Sequence, residues 1–116
     1  MLRYVILRHE NIPQPHFDLM FETTPGSDLT TWRSDRWPID VPTPLTKLLD
    51  HRPGYLEYEG PISGGRGSVR RVASGSFHLC GHVTTSWQLT FDHPAGPVQL
   101  LIESNGERWL ARPSTS

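Results

Sequence analysis

Residues 16–22, His16-Phe17-Asp18-Leu19-Met20-Phe21-Glu22, alternate with the period of an extended strand. Successive side chains on a strand point to opposite faces, so Phe17, Leu19 and Phe21 share one side while His16, Asp18, Met20 and Glu22 share the other. The first face is fitted to a core. The second gathers a histidine and two carboxylates, which a plain solvent-facing strand does not need. Upstream, Leu2 to Arg8 is a β-branched and aromatic run with Tyr4 and Ile6 opposite Val5 and Leu7, which predicts a strand buried on both faces near its middle. Asn11 to Pro15 carries two prolines and must be the loop between these strands.

The same pattern continues downstream. Leu29 to Arg33 follows the turn residues Pro25-Gly26-Ser27-Asp28, and further strands are expected at Tyr55 to Glu59, Ser68 to Ala73, Phe77 to Val83, Trp87 to Phe91, Val98 to Ser104 and Arg108 to Arg112. Asn105-Gly106 is the strongest hairpin signal. Thr43 to Asp50 reads two ways: Thr43-Pro44 resembles a helix cap and first position, with leucines at helical spacing, yet an irregular strand fits equally. Gly60 to Gly67 is a glycine-rich loop. The expected fold is therefore mostly β: an antiparallel, barrel-like curved sheet of about eight strands with at most a short helical turn, since closure removes exposed edges.

A chain of 116 residues is the usual size of one domain, and residues 1–116 are read as a single one. Ten Gly and eleven Pro favour many short strands joined by turns. The net charge of −1 argues against nonspecific coating of duplex nucleic acid, which rests on many cationic contacts to phosphate. Lys47 is the only lysine among the eleven basic residues, and arginine favours forked recognition of phosphate or carboxylate; codon bias gives the same composition. Cys80 stands alone, so no internal disulfide can form. With no basic-then-apolar leader and no apolar run of membrane-spanning length, the expected location is cytoplasmic, away from membranes.

Imidazole and carboxylate groups that converge on rigid backbone make a metal site. His16 and Asp18 share one strand face, and His9 ends the preceding strand, which a hairpin return brings alongside. Three such ligands would leave positions for water and a phosphate oxygen. Spacing alone fits either this set or separate polar residues on a wet face. His78, Cys80 and His82 also share a strand face, but alternate positions lie roughly 7 Å apart, too far for easy chelation, and Gly81 suggests a bulge. The four tryptophans are assigned to packing.

The run Arg3-Tyr4-Val5-Ile6-Leu7-Arg8-His9-Glu10 followed by residues 16–22 resembles the opening of the 3′-phosphoesterase domain of bacterial DNA ligase D. The resemblance continues through Trp32, Asp50-His51-Arg52-Pro53-Gly54-Tyr55, Tyr58-Glu59-Gly60 and Ser63-Gly64-Gly65-Arg66-Gly67-Ser68-Val69, in order. It is strong from Tyr4 to Val69 and weaker beyond, where Trp109-Leu110-Ala111-Arg112 matches the family's ending.

That resemblance implies a metal-dependent hydrolase that trims 3′ phosphates and ribonucleotides from nucleic-acid ends in DNA repair, with manganese, or zinc or cobalt, as the divalent ion. By position, His9, His16 and Asp18 match the metal ligands, and His51 and Tyr55 match the catalytic groups that contact the phosphate. No Lys-x-Asp-Gly nucleotidyl-transfer motif is present, so any ligase or repair partner would be a separate chain. There are departures. The family has an arginine two residues after the metal-binding aspartate, and here that residue is Met20, which cannot replace a fork of charged donors. The loop from His9 to His16 is one residue longer, the chain begins inside the first strand, and the glycine loop lacks its usual aromatic. Arg66, Arg52 or Arg33 are the candidates for supplying the missing charge at the phosphate. The rival reading is a catalytically impaired module that keeps the metal and phosphate pocket and binds nucleic-acid ends or another phosphorylated ligand. A third is a structural barrel whose histidines are remnants.

Overall fold

The structure is a computed structural model that describes residues 1–83 (the His82 side chain excepted), 85–91 and 98–114. Its strands are β1 (Leu2–Glu10), β2 (His16–Glu22), β3 (Leu29–Ser34), β4 (Thr43–Lys47), β5 (Gly60–Pro61), β6 (Ser68–Val83), β7 (Ser86–Phe91), β8 (Val98–Ser104) and β9 (Trp109–Pro113). They form one antiparallel sheet in the order β1-β2-β3-β4-β9-β8-β7-β6-β5. Pairing of β1 with β6 closes the ring, giving an eight-stranded barrel with β5 as an extra strand on its edge. The expected mostly-β, barrel-like fold is the one observed.

Two apolar clusters lie on either side of the barrel wall. The interior cluster takes residues from every strand of the ring, among them Tyr4, Leu19, Phe21, Trp32, Leu45, Phe77, Leu89, Ile102 and Ala111. Its rings meet at angles, as with Trp32 and Trp87 at 5.1 Å and 86°, and such pairs add about 0.5–1.5 kcal/mol beyond area burial. The outer cluster is Val5, Leu7, Met20, Leu29, Leu56 and Val69, with Tyr55 and Ile62 packed against it. Both faces of β1 are therefore covered, as the Tyr4/Ile6 and Val5/Leu7 pattern implies, and both faces of β2 are covered as well, beyond the single core face its pattern suggests.

The cover over the outer cluster is the segment from Leu48 to Gly67, and here the expected strand at Tyr55 to Glu59 is corrected. Pro53-Gly54 opens a 3-10 turn, Pro53–Leu56, in which the Tyr55 N–H donates to Arg52 O at 3.1 Å and the Glu57 N–H to Gly54 O at 3.1 Å. Proline supplies the dihedral angle that starts such a turn, and Leu56 is its buried anchor. The apparent alternation of Tyr55, Glu57 and Glu59 arises from a turn with charged flanks.

Two other expectations change. Thr43 to Asp50, open between helix and strand, is a strand to Lys47; Thr43 and Leu45 are buried, while Leu49 is 89% exposed and leaves the sheet. The two strands at Ser68 to Ala73 and Phe77 to Val83 are one 16-residue strand, β6. Register shifts in its pairing with β1, between Ile6 and Leu7, and with β7, between Leu79 and Gly81, break its alternation and hide its continuity. The Asn105-Gly106 hairpin is present, with Asn105 N–H donating to Arg108 O at 3.0 Å. No helix among the described residues is long and apolar enough to cross a membrane.

Candidate metal and phosphate cleft

The β1–β2 hairpin aligns the ligand candidates. Its register pairs Leu7 with Asp18 and His9 with His16, so His9, His16 and Asp18 share the outer face at the hairpin's end. Each offers one ligand atom, and these atoms lie within 4.8 Å of one another; it is the cluster of this kind found among the described residues. Glu22, on the same face, is elsewhere engaged: its carboxylate accepts the backbone N–H groups of Arg3 at 2.7 Å and Gly26 at 2.9 Å, fixing a turn.

Hydrogen bonds at the back of each imidazole define what its front can do. His9 Nε2 lies 2.7 Å from Arg66 O, and a carbonyl only accepts, so Nε2 carries the proton and Nδ1 keeps a lone pair in the neutral ring. His16 is the mirror case: Nδ1 donates to Gln14 O at 3.0 Å, leaving Nε2 bare. The two bare nitrogens face the buried Asp18 carboxylate, His9 Nδ1 at 3.5 Å from Oδ2 and His16 Nε2 at 3.1 Å from Oδ1. Asp18 Oδ1 is buried and has no hydrogen-bond partner.

Three donor atoms converging this closely repel unless a proton or a metal cation lies among them; a proton on either ring makes an ion pair with Asp18, and a metal ion would engage all three. A divalent ion fits the chemistry: nitrogen and carboxylate donors suit manganese, zinc or cobalt, and backbone-anchored imidazoles are the usual support for metal-ligating histidines.

A cleft of about 220 Å³ lies in front of this cluster. Its walls include His9, His16, Asp18, Met20, Arg33, His51, Tyr55, Ile62 and Arg66. His51 is held by a two-bond backbone bridge to Leu29, with its Nδ1 donating to Leu49 O at 2.9 Å. Its ring meets Tyr55 edge-on at 5.6 Å. Residues about fifty apart in sequence are thus brought to one opening.

The positive charge at the cleft follows a simple sorting. Among the described residues, Arg3, Arg8, Arg36, Arg70, Arg71 and Arg112 each have a carboxylate partner. Arg33, Arg52, Arg66 and Arg108 do not, and of these Arg33 and Arg66 line the cleft. Arg33 reaches only the neutral Gln14, and Arg66 only Ser63. Arg52, a candidate for the phosphate, caps the start of the Pro53–Leu56 turn and lines a neighbouring cleft instead of this one. Met20, at the position of the family's arginine, is 1% exposed and packs into the outer cluster.

Gly67 explains how Arg66 is seated. Its φ is +78°, and a Cβ there would lie 2.3 Å from Glu10 O and 2.7 Å from Ile12 Cγ2. Only glycine lets the loop approach the end of β1 this closely and bring Arg66 O onto His9.

The His78, Cys80 and His82 alternative lies partly outside the described residues, since the His82 side chain is among those left out. Cys80 sits at the bulge, exposed, with Sγ 3.2 Å from Thr90 Oγ1. Trp32 and Trp87 are core residues, in line with the assignment of tryptophan to packing. Compared with known proteins, the chain matches no family model and no curated sequence.

Proposed function

We propose that this chain is a divalent-metal-dependent phosphoesterase acting at the 3′ ends of nucleic acids, removing a 3′ phosphate or 3′ ribonucleotide in DNA repair, as its resemblance to the ligase D phosphoesterase domain implies. The observation that carries the reading is the convergence of His9, His16 and the buried Asp18 carboxylate at one cleft with His51, Tyr55, Arg33 and Arg66.

His9, His16 and Asp18 would hold the ion, manganese by preference, with zinc and cobalt as alternatives. When bound it supplies Lewis-acid charge beside the phosphoryl group. Arg33 and Arg66, uncompensated by carboxylates, neutralise the phosphoryl oxygens. His51 has its Nδ1 committed to Leu49 O, so its Nε2 is the atom available to give a proton to the leaving oxygen. Tyr55, beside His51 in the same cleft, would hydrogen-bond the phosphate through its hydroxyl. Such a role belongs in the cytoplasm, alongside a separate ligase or repair protein.

Met20 favours a second reading, a module that binds phosphorylated ends without turning them over. One experiment separates the two: assay bound metal, then incubate the chain with a 3′-phosphorylated primer-template and manganese. Phosphate release abolished by His9→Ala or Asp18→Ala supports the enzyme. Metal binding without turnover supports the module. If neither metal nor phosphate binds and His16→Ala changes nothing, the proposal fails.

A further inference from the structure

A second cleft, of about 370 Å³, adjoins the first, and Tyr55, Ile62 and Arg66 are walls of both. Its size lies within the range of about 300–1,000 Å³ typical of small-molecule sites. Its remaining character comes from Tyr58 and Arg52. Tyr58 is 39% exposed, leaving part of its surface open, and its hydroxyl donates to Pro61 O, which pins it to the loop. It meets Tyr55 edge-on at 6.1 Å, so the rings of His51, Tyr55 and Tyr58 run as a connected series from the phosphate cleft into this one.

Charge sorts in the same direction. The nearby carboxylates Glu57 and Glu59 are paired with Arg3 and Arg71. Arg52 and Arg66 keep no carboxylate partner among the described residues, and both line the second cleft. An aromatic surface flanked by uncompensated guanidiniums, continuous with a phosphate-sized opening, suits an unpaired nucleobase, whose π-face stacks on tyrosine or arginine whatever its identity.

We infer that this second cleft takes the base of the 3′-terminal nucleotide while that nucleotide's phosphate occupies the first. The inference rests on the phosphoesterase reading and sharpens it: the substrate is an unpaired nucleic-acid end, gripped by Tyr58 and Arg52 without base-edge readout. Tyr55 and Arg66 stand at the join, where the sugar passes.

The test uses the full chain with Mn²⁺ and three probes: methylphosphonate, and two single-stranded oligonucleotides carrying a 3′-methylenephosphonate, whose C–P bond resists hydrolysis. One oligonucleotide has a terminal base and the other is abasic there. The base should improve affinity at least about fivefold. Tyr58→Ala, and independently the exposed Arg52→Ala, should reduce the intact oligonucleotide towards the abasic value, Tyr58→Phe should retain affinity, and methylphosphonate binding should be the same in all. Equal affinity for intact and abasic ends, with methylphosphonate still bound, overturns the base subsite and leaves the phosphoesterase reading standing. Failure of methylphosphonate to bind at all overturns both.

Discussion

Arg33 faces Asp18 directly across the β2–β3 register. Both residues line the cleft, so a guanidinium stands one strand away from the proposed metal-binding carboxylate. On the proposed reading, the charge that the resembled phosphoesterase pattern places two residues along the same strand would come here from the adjacent one. Arg33→Ala should therefore weaken phosphate binding by about 1.5–3 kcal/mol, roughly ten- to a hundredfold, with little change in metal affinity. Titration of phosphate into the manganese-loaded protein measures it. An unchanged affinity would show that Arg33 is an exposed arginine and nothing more.

Metal should stabilise the fold, because its three ligands come together only when β1 and β2 are paired. At a hundredfold excess over the dissociation constant the gain is about 2.7 kcal/mol, or about 10 °C in the melting temperature of a domain this size. Asp18→Asn, nearly isosteric, should abolish that gain. Since both imidazoles must be unprotonated to ligate, the gain should also shrink as the solution is acidified. Melting curves with and without manganese at two pH values read both effects.

Placing an arginine at position 20 should harm the protein. Met20 packs with Val5, Leu7, Leu29 and Val69 at 1% exposure, and a guanidinium on that stem displaces apolar contacts even where its tip reaches the cleft. Met20→Arg is expected to lower stability by more than about 2 kcal/mol in urea unfolding. A variant as stable as the parent would mean that the outer cluster repacks freely.

Gly67→Ala should act at a distance on His9. The added methyl meets Glu10 O and Ile12, so the loop must lift and Arg66 O must leave His9 Nε2. Losing such a backing hydrogen bond typically costs ten- to a hundredfold in metal affinity, while Gly65→Ala, with open space around it, leaves His9 supported and bears only its own backbone strain. Isothermal titration of manganese into the two variants compares them.

Period-two alternation in β1 and β2 reveals the strands, the two-sided burial of β1 and the facing of His16 and Asp18, because these strands pair with a neighbour on either side. Alternation failed at β6, where bulges reset it, and at Tyr55 to Glu59, where a proline-started turn imitated it. The gathering of His51, Tyr55 and Arg66 at one cleft with His9, His16 and Asp18 depends on a long covering segment, and no local pattern encodes where such a segment lands. Arg33's register and Arg52's displacement are likewise properties of pairing and turn geometry. Tyr58 stands beside the glycine loop in the sequence, but its exposure and its contact with Tyr55 emerge only from the fold.

The proposed ligands ride on a hairpin of the barrel wall, whereas His51, Tyr55, Tyr58 and Arg66 belong to the segment laid over it. The proposed metal ligands and the proposed base subsite therefore occupy separate stretches of chain, the second attached to the barrel through Leu29, Leu56, the β5–β6 pairing, His9 and the Gly67 seat. A change of length or composition confined to the overlay would then alter which ends are gripped while leaving the hairpin beneath it unchanged.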